Sequence, residues 1–209
     1  MEVKTLEPSN PGILEPYFHI NDKERQMDKF FINQQDVALV IIDIQDKLAA
    51  VMKNKDEAVS NCLHLIELAK LFQIPIFLTE QYPKGLGPTL PEIREALPAY
   101  APFEKLSFNC CQEVGFPEGV ASMGRKKLLL TGMETHVCVL QTGLGLMKEG
   151  YIVHVVRDAV CSRTDKNLKT GIEFLKSAGA VITSTETALF QVLQKSGTKA
   201  FKTISNRIK

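Results

Sequence analysis

The segment from residue 126 to residue 147 constrains the fold of this chain more than any other. Leu128, Leu129 and Leu130 lead directly into Thr131-Gly132, and after a short polar stretch the apolar residues return at helical spacing. An apolar run, a glycine turn and a helical pattern in this order predict a buried strand, a tight turn and a helix. Such a unit is typical of α/β proteins with a parallel sheet.

Strand-like and helix-like segments alternate along the rest of the chain. Apolar runs typical of buried parallel strands lie at 37–43, 74–79, 151–156 and 180–183, with a short extended segment at 102–108. Helical patterns lie at 56–72, 91–97, 118–123, 166–177 and 185–193. The alternation predicts an α/β fold, a three-layer α/β/α sandwich around a Rossmann-like, mostly parallel sheet.

The length of the chain indicates a single domain. With 209 residues, 44% of them hydrophobic, the chain is long enough for one substantial core and too short for two full domains. We expect an N-terminal arm at 1–35, which carries three prolines and no clear periodicity, the folded domain at 36–195, and a C-terminal tail at 196–209. The basic tail is predicted to be a solvated terminus.

Charge and cysteine content limit the classes of function. A net charge of +1 gives no long-range attraction to nucleic acid or to an anionic membrane. The sequence contains neither an apolar run of about 20 residues that could span a bilayer nor a signal-peptide core. Five cysteines, without a CxxC pair, are best interpreted as reduced thiols. We therefore expect a cytoplasmic protein without nucleic-acid or membrane partners.

Cys138 is the first candidate for chemistry. It falls in the first turn of the helix that follows the glycine turn, where unpaired backbone N–H groups and a partial positive charge lower the pKa of a thiol and hold an oxyanion. Both effects serve a cysteine nucleophile. The alternative is a plain buried cysteine, which is what most lone cysteines in apolar surroundings are.

Two charged residues extend this candidate site. Asp43 ends the first predicted strand, and Lys105 follows the second strand–helix unit. Ligands of parallel α/β sheets bind at the carboxyl edge of the strands, where Asp43 is expected to lie. Taken separately, Asp43 could be a helix cap and Lys105 a surface lysine.

The motifs around these residues resemble the isochorismatase-like cysteine hydrolases, which include nicotinamidases and N-carbamoylsarcosine amidohydrolases. The most specific is the G-x-x-T-x-x-C turn at 132–138, supported by D-x-Q at 43–45 and by Asp158-Ala159 with Ser162-Arg163. The resemblance covers residues 36–195, and the loop at 79–89 is most similar to the isochorismatase domain-containing branch.

The resemblance implies a catalytic triad of Asp43, Lys105 and Cys138. It also implies a cis peptide bond between Met133 and Glu134, and an oxyanion hole formed by the backbone N–H groups of Glu134 and Cys138. The expected function is hydrolysis of a small amide-type or related acyl substrate through a thioester on the cysteine.

The substrate pocket is expected to use side chains near the triad and side chains from a neighbouring subunit, so that the protein is predicted to be a homo-oligomer. The candidate pocket residues are Gln45, Gln81, Tyr82, Phe108, Thr135 and His136. His136 could instead face solvent. Nicotinamidases bind a metal through histidines in the loop after the second strand, and the loop at 79–89 has none. We therefore expect neither a metal nor another cofactor.

Two other functions compete with this interpretation. A non-enzymatic oligomeric scaffold or binding protein could have kept the three residues as part of its packing. Some members of the branch are labelled ribonucleases, but the near-zero net charge and the lack of a basic stripe argue against action on RNA.

Overall fold

The computed structural model describes residues 27–209. The strands are β1 (Val37–Ile42), β2 (Ile76–Gln81), β3 (Phe103–Lys105), β4 (Lys127–Met133), β5 (Ile152–Cys161) and β6 (Val181–Thr183). The α-helices are α1 (Asp46–Ala49), α2 (Lys55–Phe72), α3 (Pro83–Leu86), α4 (Pro91–Ala96), α5 (Phe116–Ser122), α6 (Leu140–Lys148), α7 (Asp165–Ser177), α8 (Thr185–Leu193) and α9 (Lys199–Arg207). A 3-10 turn spans Cys110–Gln112 and a π-helical turn spans Thr135–Val139.

The six strands form one sheet in the order β3-β2-β1-β4-β5-β6, and every neighbouring pair is parallel. This confirms the predicted α/β fold with a Rossmann-like sheet. The direction of strand succession reverses between β1 and β4. In open parallel sheets such a switch point leaves a crevice at the carboxyl ends of the two strands, because their loops leave in opposite directions.

Helices cover both faces of the sheet. Leu39 and Ile41 of β1 face one core, which contains side chains of α2, α8 and α9. Val40 and Ile42 of the same strand face a second core, which contains side chains of α5, α6 and α7. Because successive strand residues point to opposite faces, a fully apolar strand has two buried faces, which gives the three layers.

Two strands, β2 and β5, continue beyond their predicted ends, and β3 is shorter than its predicted segment. β2 begins two residues later than expected and continues through Gln81, so that Gln81 pairs in register with Lys105 of β3. β5 extends through Cys161, although Arg157 and Asp158 interrupt its apolar pattern. Asp158 is accommodated because its carboxylate accepts hydrogen bonds from the backbone N–H and hydroxyl of Thr185, at 2.8 and 2.9 Å.

The prediction of a solvated C-terminal tail is wrong, because this segment is helical and packs on the domain. Residues 199–207 form helix α9, whose Ile204 is fully buried in the first core. Phe201 packs against Phe190 of α8 with ring centroids 6.1 Å apart. The lysines are explained by the amphipathic pattern of the helix, which leaves Lys202 exposed and turns Ile204 inwards.

The predicted N-terminal arm lies mostly outside the described residues. Of its last part, Ile32 is buried and its N–H donates to Gln191 Oε1 at 2.8 Å. Lys127 at the start of β4 is 2% exposed and holds this segment by donating to Phe31 O at 2.7 Å and pairing with Asp36 at 2.9 Å. The last part of the predicted arm is therefore bound to the domain at the edge of the sheet where the strands begin.

His154 on the adjacent strand shares this buried amino edge. Nε2 of His154 has no hydrogen-bond partner among the described residues. Burial and the charge of Lys127 lower its pKa to about 4, so His154 is neutral at physiological pH.

None of the helices within residues 27–209 is both long enough and apolar enough to cross a membrane.

Candidate active site

Asp43 lies directly after β1, at the switch point of the sheet. Its backbone adopts a left-handed conformation with φ of 51°, which Asp tolerates better than most residues because its short polar side chain bonds locally. The side chain is fully buried, and its Oδ1 accepts a hydrogen bond from the Thr79 hydroxyl at 2.7 Å. The carboxylate is thereby held in one orientation.

Lys105, the last residue of β3, reaches the same point. Its ammonium donates to Asp43 Oδ2 at 2.7 Å, to Gln81 Oε1 at 2.6 Å and to Ser107 O at 3.3 Å. Burial alone lowers the pKa of Lys105, but the neighbouring negative charge, above all that of Asp43, outweighs burial and raises the pKa above its ordinary value. Lys105 is therefore a fixed positive charge beside the carboxylate.

Cys138 lies in the π-helical turn that joins β4 to α6, and not in the first turn of a regular α-helix as predicted. Its Sγ is 4.0 Å from Gln81 Oε1, and the residue is 4% exposed. Gln81 therefore joins Cys138 to Lys105, so the three residues of the predicted triad converge at one edge of the sheet.

The expectation of a lowered pKa for Cys138 does not hold. Burial first, and then the charge of Asp43, raise the pKa of the thiol, and the Lys105 ammonium offsets only part of this. The sequence suggested the lowering effects of a helix N-terminus and a lysine, but the depth of the residue and the nearness of the carboxylate depend on the tertiary fold. Cys138 is therefore a neutral thiol at rest.

Two glycines bring the backbone of this site close together. Gly132 has φ of +115°, and a Cβ there would lie 1.9 Å from the carbonyl oxygen of Ile42 at the end of β1. A Cβ on Gly171 of α7 would lie 2.8 Å from the carbonyl oxygen of Thr135. The end of β4 thus packs directly on the backbone of β1, and the turn that carries Cys138 packs directly on the backbone of α7. Only glycine permits such close contact at these two positions.

The turn between β4 and Cys138 has the expected form. The Met133–Glu134 peptide bond is cis. Glu134 Oε2 accepts from the backbone N–H of Arg163 at 3.2 Å and from its Nε at 3.1 Å. The Glu134 carboxylate is therefore neutralised by Arg163 at the end of β5.

The candidate pocket residues fall into two groups. Tyr82 and Phe108 are half exposed, His136 is partly buried with Nδ1 3.1 Å from the Ser162 hydroxyl, and Gln81 is 8% exposed. Gln45 and Thr135, in contrast, are fully buried. The Gln45 amide bonds to Gln81 and Gly87, and the Thr135 hydroxyl donates to Cys161 O at 2.9 Å, so both side chains support the site, and their contact with a substrate stays a prediction.

The sequence interpretation assigned no role to the residues that support the site. Thr79 orients Asp43, Ser107 O accepts from Lys105, and Arg163 neutralises Glu134. The role of Thr79 could have been predicted from the sequence. Thr79 lies near the carboxyl end of the strand next to β1, and Asp43 follows the carboxyl end of β1, so the two side chains are expected to meet. The contact of Ser107 is made by its backbone and leaves no mark in the sequence.

The end of β2 contains a buried carboxylate that belongs to another network. Glu80 Oε1 accepts from the Thr89 N–H and hydroxyl, each at 2.6 Å, and from the Tyr100 hydroxyl at 2.5 Å. These donors tie the loop to the end of β2. Within residues 27–209 no group of three or more His, Cys, Asp or Glu side chains has the arrangement of a metal site.

Comparisons with known proteins identify the family of the chain. A family model described as the isochorismatase domain matches residues 37–187. The secreted isochorismatase effector Isc1 of Phytophthora sojae is 38% identical over 175 residues, which cover 82% of this chain and 83% of the relative.

Two solved structures are also similar. The MAR1 ribonuclease from Caenorhabditis elegans has a TM-score of 0.78 at 36% identity, covering 85% of this chain and 92% of the other. The YcaC gene product from Escherichia coli, an octameric hydrolase of unknown specificity, has a TM-score of 0.80 at 24% identity, covering 85% and 90%.

Proposed function

Because the chain belongs to the isochorismatase family, a family of hydrolases, we propose that it is a cysteine hydrolase that cleaves a small amide or related acyl compound. Its catalytic residues in this proposal are Asp43, Lys105 and Cys138. The observation that carries the proposal is the buried Asp43–Lys105 pair at 2.7 Å, linked through Gln81 to the sulfur of Cys138. Buried ion pairs contribute little net stability to a fold. A buried pair at the edge of the sheet where ligands bind therefore favours a catalytic role over a structural one.

The state of the thiol assigns a role to Asp43. Because burial and Asp43 raise the pKa of Cys138, a base must accept the thiol proton as the sulfur attacks. Asp43 is the carboxylate in position to do this, and Thr79 keeps it oriented. Lys105 then stabilises the negative charge that passes from the carboxylate to the sulfur and on to the substrate.

The proposed reaction proceeds in two halves. Cys138 Sγ bonds to the carbonyl carbon while its proton moves to Asp43, and the resulting tetrahedral adduct has its charge on the former carbonyl oxygen. Asp43 then protonates the leaving nitrogen, the C–N bond breaks, and a thioester remains. A water molecule attacks the thioester, gives its proton to Asp43, and releases the acid; Asp43 returns the proton to the sulfur.

We propose the backbone N–H groups of Glu134 and Cys138 as the oxyanion hole. Donors fixed in advance around the developing oxyanion stabilise the adduct more than mobile water does. The packing of Gly132 on Ile42 and of Gly171 on Thr135 supports this role, because it leaves the turn little freedom to move.

The remaining pocket residues and a second subunit complete the proposed site. Tyr82 and Phe108 would form its walls, and His136 its edge. Tyr82, Leu106 and Phe108 are 50%, 70% and 53% exposed. Such apolar exposure beside a buried nucleophile is typical of a surface covered by a partner. The octameric state of the YcaC product supports a homo-oligomer here.

We also propose that the protein works in the cytoplasm, as its five free thiols suggest. A secreted relative exists, the Phytophthora sojae effector, so the location needs its own measurement by cell fractionation.

The experiment for the main proposal is a search for turnover and for the thioester. Purified protein is incubated with a panel of small primary amides, and ammonia release is measured together with the intact mass of the enzyme. We expect turnover with at least one amide and an acyl adduct on Cys138 that hydroxylamine removes. Cys138→Ser should abolish both, whereas Cys111→Ser, at a partly exposed cysteine outside the triad, should retain both.

The second candidate is a non-enzymatic scaffold, which is favoured by one observation: Cys138 is only 4% exposed in the single chain. A scaffold would form the oligomer but would show neither ammonia release nor an acyl adduct. A ribonuclease function is suggested by the name of the MAR1 relative, but the net charge of +1 does not favour it.

A further inference from the structure

The side-chain amide of Gln81 has only one orientation that its neighbours accept. Its Nε2 donates to the carbonyl oxygen of Leu106 at 2.7 Å, and its Oε1 accepts from the Lys105 ammonium at 2.6 Å. The reverse orientation would place an NH₂ group against an ammonium and an oxygen against a carbonyl oxygen. The carbonyl end of Gln81 is therefore the end that faces Cys138.

The backbone of Gln81 is fixed as firmly as its side chain. Gln45 Oε1 accepts from the Gln81 N–H at 2.7 Å, and Gln45 Nε2 donates to Gln81 O at 3.0 Å. Gln81 is 8% exposed, so most of the cost of ordering it has been met in the folded protein. The Oε1 atom is thus a preorganised hydrogen-bond acceptor, 4.0 Å from the sulfur.

Lys105 has no donor left for a substrate. An ammonium group carries three N–H donors, and those of Lys105 have three acceptors in Asp43 Oδ2, Gln81 Oε1 and Ser107 O. A carbonyl oxygen has two lone pairs, and Lys105 occupies one of those of Gln81 Oε1. The other faces the Cys138 thiol, which donates to it at 4.0 Å, and it becomes available to a substrate donor when the thiol proton moves to Asp43 in the proposed reaction.

We propose that Gln81 Oε1 accepts a hydrogen bond from the N–H of the amide that Cys138 attacks, and so selects amides over esters. The inference rests on the proposed function of Cys138 and adds the residue that determines the substrate class. A carbonyl carbon poised for attack lies about 3–3.5 Å from the nucleophile, and its amide nitrogen then lies beside Oε1. An ester has an oxygen at that place, which would face Oε1 without a proton between them.

The expected preference is large enough to measure. Binding a substrate that leaves a buried acceptor without a hydrogen-bond donor costs binding free energy. This cost is larger than that of a small change in the shape of the substrate. We expect the N–H compound to be preferred by about tenfold or more over its ester counterpart.

The test uses two alkylating probes of equal size, N-methyl-2-chloroacetamide and methyl chloroacetate, which differ only in N–H against O. The labelling rate of Cys138 is measured by peptide mapping, and each rate is divided by that for a small free thiol to remove intrinsic reactivity. Alkylation places the nitrogen one bond further from the sulfur than acyl attack does, and the 4.0 Å gap between Sγ and Oε1 accommodates it.

Wild type should prefer the amide probe by about tenfold, and Gln81→Met, which has a similar shape but no acceptor, should lose the preference. Gln141→Met, at an exposed glutamine of α6, should keep it. Gln81→Leu, which also lacks an acceptor, should lose the preference as well, and it serves as the second variant if Gln81→Met does not fold by circular dichroism.

Equal normalised rates in wild type, or an unchanged preference in folded Gln81→Met, would overturn the role of Gln81 while leaving Cys138 as the nucleophile. An unchanged preference in folded Gln81→Leu would overturn it as well. Failure of both probes to label Cys138 in wild type would overturn the proposed function itself, and the inference with it.

Discussion

The Lys105 ammonium lies 2.7 Å from Asp43 Oδ2, and neither side chain is exposed to solvent. Removing one partner of such a pair leaves an uncompensated buried charge, which costs about 3–5 kcal/mol. Alanine variants of either residue would therefore lose activity through instability as well as through chemistry. Asp43→Asn, which keeps the shape and one oxygen acceptor, is the more informative change.

Asp43→Asn should separate the reactivity of the thiol from turnover. Because the Asp43 charge raises the pKa of Cys138 and Lys105 lowers it, the variant should move the alkylation profile of Cys138 towards lower pH by about one unit or more. Amide hydrolysis should nevertheless be lost, since no base remains to take and return the proton. The measurement is the iodoacetamide rate against pH in a Cys111→Ser background.

Asp46→Asn, at an exposed carboxylate on α1, is the matched control and should leave the profile unchanged. A profile in Asp43→Asn that stays in place or moves to higher pH would contradict the assigned electrostatics of the site.

Substrate turnover should require no added metal. Glu80, the buried carboxylate near the end of β2, is occupied by Thr89 and Tyr100, and the loop that follows offers no imidazole. Elemental analysis of protein purified without added metal should find less than stoichiometric zinc, iron and manganese, and treatment with a chelator should leave the rate of amide hydrolysis unchanged. A stoichiometric metal whose removal abolishes turnover would contradict this prediction.

RNA should be neither bound specifically nor degraded. Proteins that bind nucleic acid neutralise phosphates with clustered basic residues, and the net charge of this chain is only +1. A gel-shift titration at low and at physiological salt should show no salt-dependent complex, and a labelled RNA should stay intact. Degradation that disappears in Cys138→Ser would support a ribonuclease function at the same site.

Stability should fall between pH 6.5 and pH 4 because of His154. Its pKa is about 4 in the folded protein against 6.5 unfolded, so the unfolded state binds more protons in this window. Above pH 6.5 both states are neutral at this position; below it the folded state loses about 1.4 kcal/mol per pH unit, to a total of about 3 kcal/mol near pH 4. His154→Leu should remove this component, which urea unfolding at several pH values can measure.

The charges of Lys127 and Asp36 also act on His154. If the unfolding midpoint of His154→Leu falls with decreasing pH as steeply as that of wild type, the loss of stability in acid comes from those charges and not from His154.

Ile204→Ala should destabilise the domain by about 2–4 kcal/mol, because Ile204 is fully buried between α9 and the rest of the first core. Lys202→Ala, at an exposed position of the same helix, should change stability by less than about 0.5 kcal/mol. Thermal unfolding provides the comparison, and equal effects of the two changes would mean that α9 is not part of the cooperative unit.

The sequence allowed the architecture to be predicted because buried parallel strands are marked by apolar runs such as 37–42. It failed where polar residues are satisfied by distant partners: Asp158 continues β5 only because Thr185 bonds to it. Asp43, Lys105 and Cys138 were identifiable from their motifs, and the structure brings them together. The pKa of Cys138 was not predictable, since it depends on burial that only the complete fold creates.

The switch point between β1 and β4 also determines when this protein first becomes reactive. Asp43 follows β1 and Lys105 ends β3, whereas Cys138 follows β4, so a nascent chain presents the charged pair before the nucleophile has been synthesised. The three groups meet only when strands distant in sequence have paired, an event with a high loop-closure cost. Substrate turnover, which needs all three groups, would therefore report on completion of the sheet, and partly translated or truncated chains would not hydrolyse the substrate.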